Sequence, residues 1–178
     1  MFNRMLIPWP TEGSKLAVFG QRLTDHTRRR LVVYTLLAMA AFFFQHCLRL
    51  GVNATESLPH SLYLIHKGES IKRGDYVAFR WDGGGPYPAG VTFIKIVAGV
   101  PGDTISRINR TYYVNGSFVG TAKPYAKDGQ PLALMETGVL KRDEYYVQAP
   151  HPDSLDSRYR LSGWIPKDRI IGRAYALF

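Results

Sequence analysis

Two residues carry the chemical interest of this sequence, Ser57 and Lys95. A serine hydroxyl is a weak nucleophile, so a serine enzyme must also supply a base that takes its proton. Histidine is the usual base. His60 lies three residues from Ser57 and His151 far along the chain, yet nothing near either spells a G-x-S-x-G nucleophile elbow. Lysine is the other option, because burial among apolar groups depresses its pKa until the amine is neutral near physiological pH. In TFIKIVAGVPGD, Lys95 has Ile94, Ile96 and Val97 around it and Phe93 two residues before. On a strand its side chain turns to one face and must find solvent or a partner there. From the pattern alone, an edge-strand lysine that guards against aggregation is an equal alternative.

The elements that hold these residues are legible to different degrees. Ser57 lies in NATESLPHSLYLIHKGE, residues 53–69, a polar, proline-bearing stretch just past the only long apolar run. That run, residues 31–48, is uncharged and would rise about 27 Å as a helix, enough to cross a bilayer. Arg28, Arg29 and Arg30 precede it and only Arg49 follows closely, so the positive-inside bias puts the N-terminus in the cytoplasm. V-N-A at 52–54 could pass for a small-residue cleavage site, but the thirty residues before the run are too many for a secretory n-region, and the segment reads as an uncleaved signal anchor. The expected organisation is a cytoplasmic tail over 1–30, a transmembrane anchor over 31–50 and an exported β-rich domain over 51–178.

Within that domain, short β-type runs alternate with turn chemistry. SLYLIH, GDYVAFRW, VTFIKIVAG, DEYYVQA and IIGRAYALF read as strands, and Asn115-Gly116 between two apolar triplets is a type I′ hairpin signal. Gly99, Pro101, Gly102 and Asp103 shape a tight turn. Residues 82–90 (DGGGPYPAG) read as a flexible connection, and residues 121–142 as an excursion or flap.

Composition excludes several function classes. Of the net charge of +9, residues 1–30 hold +4 and Arg49 one more, leaving +4 scattered over residues 51–178. With no dense basic stripe among aromatics, a nucleic-acid partner is excluded, and anionic lipid headgroups account better for the juxtamembrane arginines. The single cysteine, Cys47, permits no intramolecular disulfide or thiolate cluster, and His26, His46, His60, His66 and His151 show no metal-ligand spacing. No metal or other cofactor is expected. Sequons occur at Asn53, Asn109 and Asn115, which matter only in a glycosylating compartment.

In order after the anchor, ESLPHSLY, FIKIVAGVPGD and DSLDSRYRLSGWIP followed by IIGRA resemble three signature boxes of the type I signal peptidase family. The resemblance covers most of the exported domain, apart from residues 106–142. It implies a mainly β catalytic domain behind one membrane helix, in the bacterial inner membrane with that domain in the periplasm. It implies Ser57 as nucleophile, Lys95 as general base, Ser154 as the hydroxyl that holds the lysine amine, and Asp156 with Arg158 as a bracing ion pair. Thr55 matches the position whose hydroxyl joins the Ser57 N–H in the oxyanion hole, where aimed donors stabilise developing negative charge. From the residues alone, Thr55 reads equally as a solvated loop residue.

One departure is informative. The housekeeping pattern has methionine, any residue and then proline after the serine, whereas Ser57-Leu58-Pro59 brings proline one residue closer. That spacing resembles the conjugative-transfer, TraF-type branch, which matures a pilin subunit and in some members cyclises it. The implied partner is a membrane-inserted precursor, pilin or preprotein. A general signal peptidase and a non-catalytic tethered scaffold are the other readings.

Overall fold

A computed structural model describes residues 12–178. Residues 1–11 of the expected tail, with the MLIPWP stretch, lie outside the described residues. The chain divides into two units, residues 1–44 and 45–178. The described part of the first is a single helix, α1 (Glu12–Cys47), whose last three residues belong to the second unit.

The helix begins well before the apolar run because residues 12–30 are proline-free and rich in good helix formers. Its stretch Leu16–Cys47 is long and apolar enough to cross a membrane. Leu36, Leu37, Met39, Phe42 and Phe43 are all exposed, and an all-round apolar helix with no protein cover suits a lipid environment.

The second unit is mainly β, as the sequence led one to expect. Its strands are β1 (Leu48–Val52), β2 (Leu62–Lys67), β3 (Tyr76–Arg80), β4 (Thr92–Gly99), β5 (Thr104–Ile108), β6 (Thr111–Val114), β7 (Ser117–Thr121), β8 (Gly138–Val139), β9 (Glu144–Gln148), β10 (Ile165–Pro166) and β11 (Ile170–Ala176). They form a seven-stranded antiparallel sheet in the order β1-β2-β11-β3-β4-β9-β10 and a four-stranded one in the order β7-β6-β5-β8. Residues 48–50, counted by sequence into the anchor, are strand instead: Leu48 pairs with His66 and Val52 with Leu62.

The centre of the large sheet is covered on both faces, which is why β3 and β4 read as apolar runs without clean alternation. One face packs Tyr63, Ile65, Ala78, Ile94 and Ala174 with Leu58, and the other packs Val77, Phe79, Trp81, Val97, Val147 and Ile165. A third cluster around Ile105, Tyr112, Val114, Leu140 and Tyr146 underlies the small sheet. β11 lies between β2 and β3, and its Gly172 passes so close to the His66 carbonyl that an added Cβ would sit 2.2 Å from the oxygen.

The β6–β7 turn has the predicted chemistry, with positive φ at Asn115 (49°) and Gly116 (81°). The 121–142 region is no free flap. Arg110 donates to the carbonyls of Ala122 (2.9 Å), Lys123 and Leu132 (3.3 Å), and Tyr112 Oη donates to Met135 O.

Candidate active site

Ser57 sits in the loop that joins β1 to β2, residues 53–61. Two anchors fix this loop: Leu58 is buried in the core, and Asn53 N–H continues the strand ladder to Ser61 O at 2.8 Å. Ser57 is 8% exposed. Its Oγ lies 2.9 Å from Thr55 Oγ1, so the expected nucleophile and the expected oxyanion-hole hydroxyl are brought together.

Asn53 was legible in the sequence only as part of a sequon. In the structure its side chain spans the loop, accepting from Thr55 Oγ1 (3.0 Å) and N–H (3.4 Å) through Oδ1 and donating to Leu58 O (3.4 Å) and His60 O (3.2 Å) through Nδ2. The signal that could have found it is the alternation Asn53, Thr55, Ser57, which sets three polar side chains at two-residue steps. His60 makes no hydrogen bond to Ser57. Its ring packs edge-on against Tyr63 and Tyr76, each with centroids 6.2 Å away.

Lys95 is on β4, paired on one side with β3 and on the other with β9. The strand is interior, so Lys95 does not guard an edge. It is 5% exposed and its Nζ donates to Ser154 Oγ at 2.8 Å. Phe93, two residues back on the same face, puts its ring centroid 5.6 Å from Nζ. Burial drives the Lys95 pKa down from 10.5 to about 8; the charge of Asp156 opposes the shift and that of Arg158 assists it. A substantial fraction of the amine is therefore neutral at mildly alkaline pH.

Ser154, Asp156 and Arg158 lie in the segment after β9. Asp156 is fully buried and joined to Arg158 twice, from Nε to Oδ1 and from Nη2 to Oδ2, each 2.8 Å. Its remaining capacity is taken by the N–H of Ala149 at 3.1 Å and of Arg158 at 3.2 Å. Arg158 also reaches Thr121 O (2.9 Å) and Ser154 O (3.3 Å). Satisfaction this complete is what keeps a buried ion pair from destabilising the fold. The pair braces the backbone that carries Ser154, and through it the lysine.

Six sequence-predicted residues thus form two bonded groups, Thr55 with Ser57 and Lys95 with Ser154, Asp156 and Arg158. No hydrogen bond joins Ser57 directly to Lys95. Bonds of this kind commonly tighten only when substrate is bound. Asp103, expected only to shape a turn, also ties elements together: it accepts from Val100 N–H, from Asn115 and from Arg73. Burial alone would raise its pKa, but those three donors outweigh burial and hold the carboxyl below the usual range.

A family model described as signal peptidase, peptidase S26, matches residues 26–178. Signal peptidase I of Bacillus amyloliquefaciens is 31% identical over 118 residues, covering 61% of this chain and 57% of that protein. Signal peptidase I T of Bacillus subtilis (strain 168) is 30% identical over the same shares. Signal peptidase I of Bacillus licheniformis is 29% identical over 164 residues, 83% of each chain. The crystal structure of a signal peptidase I from Enterococcus faecalis V583 aligns at 20% identity with a TM-score of 0.39, over 62% of this chain and 98% of that one. The chain spans 57% of the length of the first two relatives.

Proposed function

The chain belongs to the signal peptidase family, peptidase S26, and on that premise we propose that it is a membrane-anchored serine endopeptidase that removes signal peptides from preproteins. One observation carries the reading: a lysine buried in an interior strand, its pKa brought down to about 8 and its amine held by Ser154. A fold has little reason to bury a lysine beside an arginine unless the neutral amine is used.

In this reaction neutral Lys95 takes the Ser57 hydroxyl proton as Oγ attacks the scissile carbonyl. The Ser57 N–H and the Thr55 hydroxyl receive the oxyanion. Lysine then passes the proton to the departing amine, and a water activated by the same lysine hydrolyses the acyl-enzyme. Ser154 keeps the amine on line, and the Asp156–Arg158 pair fixes the backbone under it. Residues 31–47 anchor the chain and residues 1–30 stay in the cytoplasm, with residues 48–178 on the periplasmic side of a bacterial inner membrane. The nucleophile loop then follows the anchor within about ten residues of chain, close to where a membrane-inserted precursor emerges.

A narrower reading keeps the chemistry and changes the substrate to a pilin of a conjugative transfer system, with hydrolysis or cyclisation of the product. It is supported by the Ser57-Leu58-Pro59 spacing; the relatives described above bear the general name and lend it nothing. Intact mass of co-expressed precursors tests both. Loss of a signal peptide from an ordinary preprotein, absent with Ser57→Ala and with Lys95→Ala, is the expected result. Cleavage confined to a pilin precursor would replace it with the narrower reading, a further loss of one water would mark cyclisation, and unchanged masses would favour a non-catalytic scaffold.

A further inference from the structure

The hydrogen bonds of the serine loop have a direction that their donors and acceptors impose. Asn53 Nδ2 faces two carbonyl oxygens, Leu58 O and His60 O, which can only accept. The amide is therefore oriented with Oδ1 toward Thr55, 3.0 Å from its Oγ1. An amide oxygen has no proton, so Thr55 must donate in that bond. A threonine hydroxyl has one proton, and this bond uses it. In the 2.9 Å contact between Thr55 Oγ1 and Ser57 Oγ, the donor is then Ser57.

We propose that Asn53 is a positioning residue for the Ser57 nucleophile, acting through Thr55: it orients the Thr55 hydroxyl, which accepts the Ser57 proton at rest and turns to the substrate oxyanion once Lys95 has taken that proton. This rests on the peptidase reading above. Thr55 is an exposed loop residue, and a hydroxyl free to rotate there loses entropy each time it is recruited. The amide of Asn53 holds it beside Ser57 beforehand, and the Asn53 bonds to Leu58 and His60 hold the amide. When Lys95 removes the Ser57 proton, Thr55 Oγ1 loses its incoming bond and its own proton is released from Asn53 toward the new charge. No bond to Asn53 forms or breaks covalently; the proton of Ser57 ends on Lys95 and that of Thr55 stays on Thr55.

The test is the rate at which a serine-directed acylating probe labels the detergent-solubilised full chain, for wild type, Asn53→Ala, Thr55→Val and the double variant, across pH. Asn53→Ala is expected to label about tenfold more slowly, the effect of one lost orienting hydrogen bond with its loop. Thr55→Val is expected to lose about 100-fold. The double variant is expected to be no slower than Thr55→Val, because Asn53 has nothing left to act on. The pH midpoint of the Lys95 limb stays put in Asn53→Ala, whereas a general collapse of the site would move it. Multiplying losses in the double variant, or a shifted midpoint, would overturn the proposal and leave Asn53 a mere loop brace. Should Asn53→Ala lose its cooperative melting, Asn53→Asp keeps the acceptor for Thr55 without the amide donors, and the same non-additivity with Thr55→Val is required of it. Wild-type labelling that survives Ser57→Ala would sink the peptidase reading itself, and the relay with it.

Discussion

The two halves of the candidate site are built on opposite principles. The lysine half is interior: Lys95 on an interior strand with its amine on Ser154, Asp156 without exposure, and Arg158 paired with Asp156 through a side chain that donates four bonds. The serine half is a nine-residue loop, in which Ser57 pairs with Thr55 and one asparagine ties Thr55 to the rest of the loop. The difference separates two costs. Desolvating an amine is taken out of fold stability, whereas a serine on a loop rests on a few local hydrogen bonds.

The comparison breaks most visibly in activity, where both halves should fail alike. Ser57→Ala and Lys95→Ala are each expected to lower precursor cleavage by roughly 10⁴-fold or more, and the double variant little further, because members of a catalytic unit are not additive. Single-turnover processing of a purified precursor measures this.

Stability should then separate them. Arg158→Met leaves the Asp156 carboxylate buried without its counter-ion and is expected to cost about 3–5 kcal/mol, against less than about 1 kcal/mol for Ser57→Ala. Denaturant unfolding of residues 45–178 in the full chain reads the difference, and equal losses would mean the halves are not built differently.

Lys95 gives the same contrast through pH. Its folded pKa of about 8 lies below the ordinary 10.5, so between these values the unfolded chain binds the extra proton. Stability therefore rises with pH through that window, by about 3 kcal/mol at most, and below it the full cost of the buried charge remains. Lys95→Met is expected to abolish that rise and to be more stable than wild type at neutral pH while inactive. Activity runs the same way for a different reason: it should fall about tenfold for each pH unit below the Lys95 midpoint and level off above it. Because Asp156 supports the protonated amine, Asp156→Asn should carry that midpoint to lower pH. The smallest effect belongs to Ser154→Ala, about five- to tenfold in kcat from one lost hydrogen bond.

What the sequence disclosed followed the strength of its local signals. Strands β2, β3, β4, β6, β7, β9 and β11 were legible because apolar residues recur and turns are marked by glycine or asparagine. Strand β1 was hidden because LRLGV directly abuts the apolar run with no turn residue before it, and only its pairing with β2 makes it a strand. Strand β5 buries just Ile105, and β8 and β10 are two residues each, too short for any period to show. The excursion looked unattached because its anchors are distant side chains, Arg110, Tyr112 and Tyr159. At the site, the two-residue interval from Asp156 to Arg158 announced a local pair, but the depth of Lys95 depended on β9 covering β4, a contact that no local pattern announces.

The place of β11 in the large sheet has a consequence for biosynthesis. Strands β1 and β2 carry the nucleophile loop, β3 and β4 carry the lysine, and the sheet has no direct pairing between β2 and β3. They are joined only when β11, more than a hundred residues after β2, slides between them. Closing so long-range a pairing is slow, and it cannot begin until that strand has left the ribosome. A nascent copy therefore holds Ser57 and Lys95 on two separate hairpins, and the two parts of the candidate site come together only after the last strand has been made.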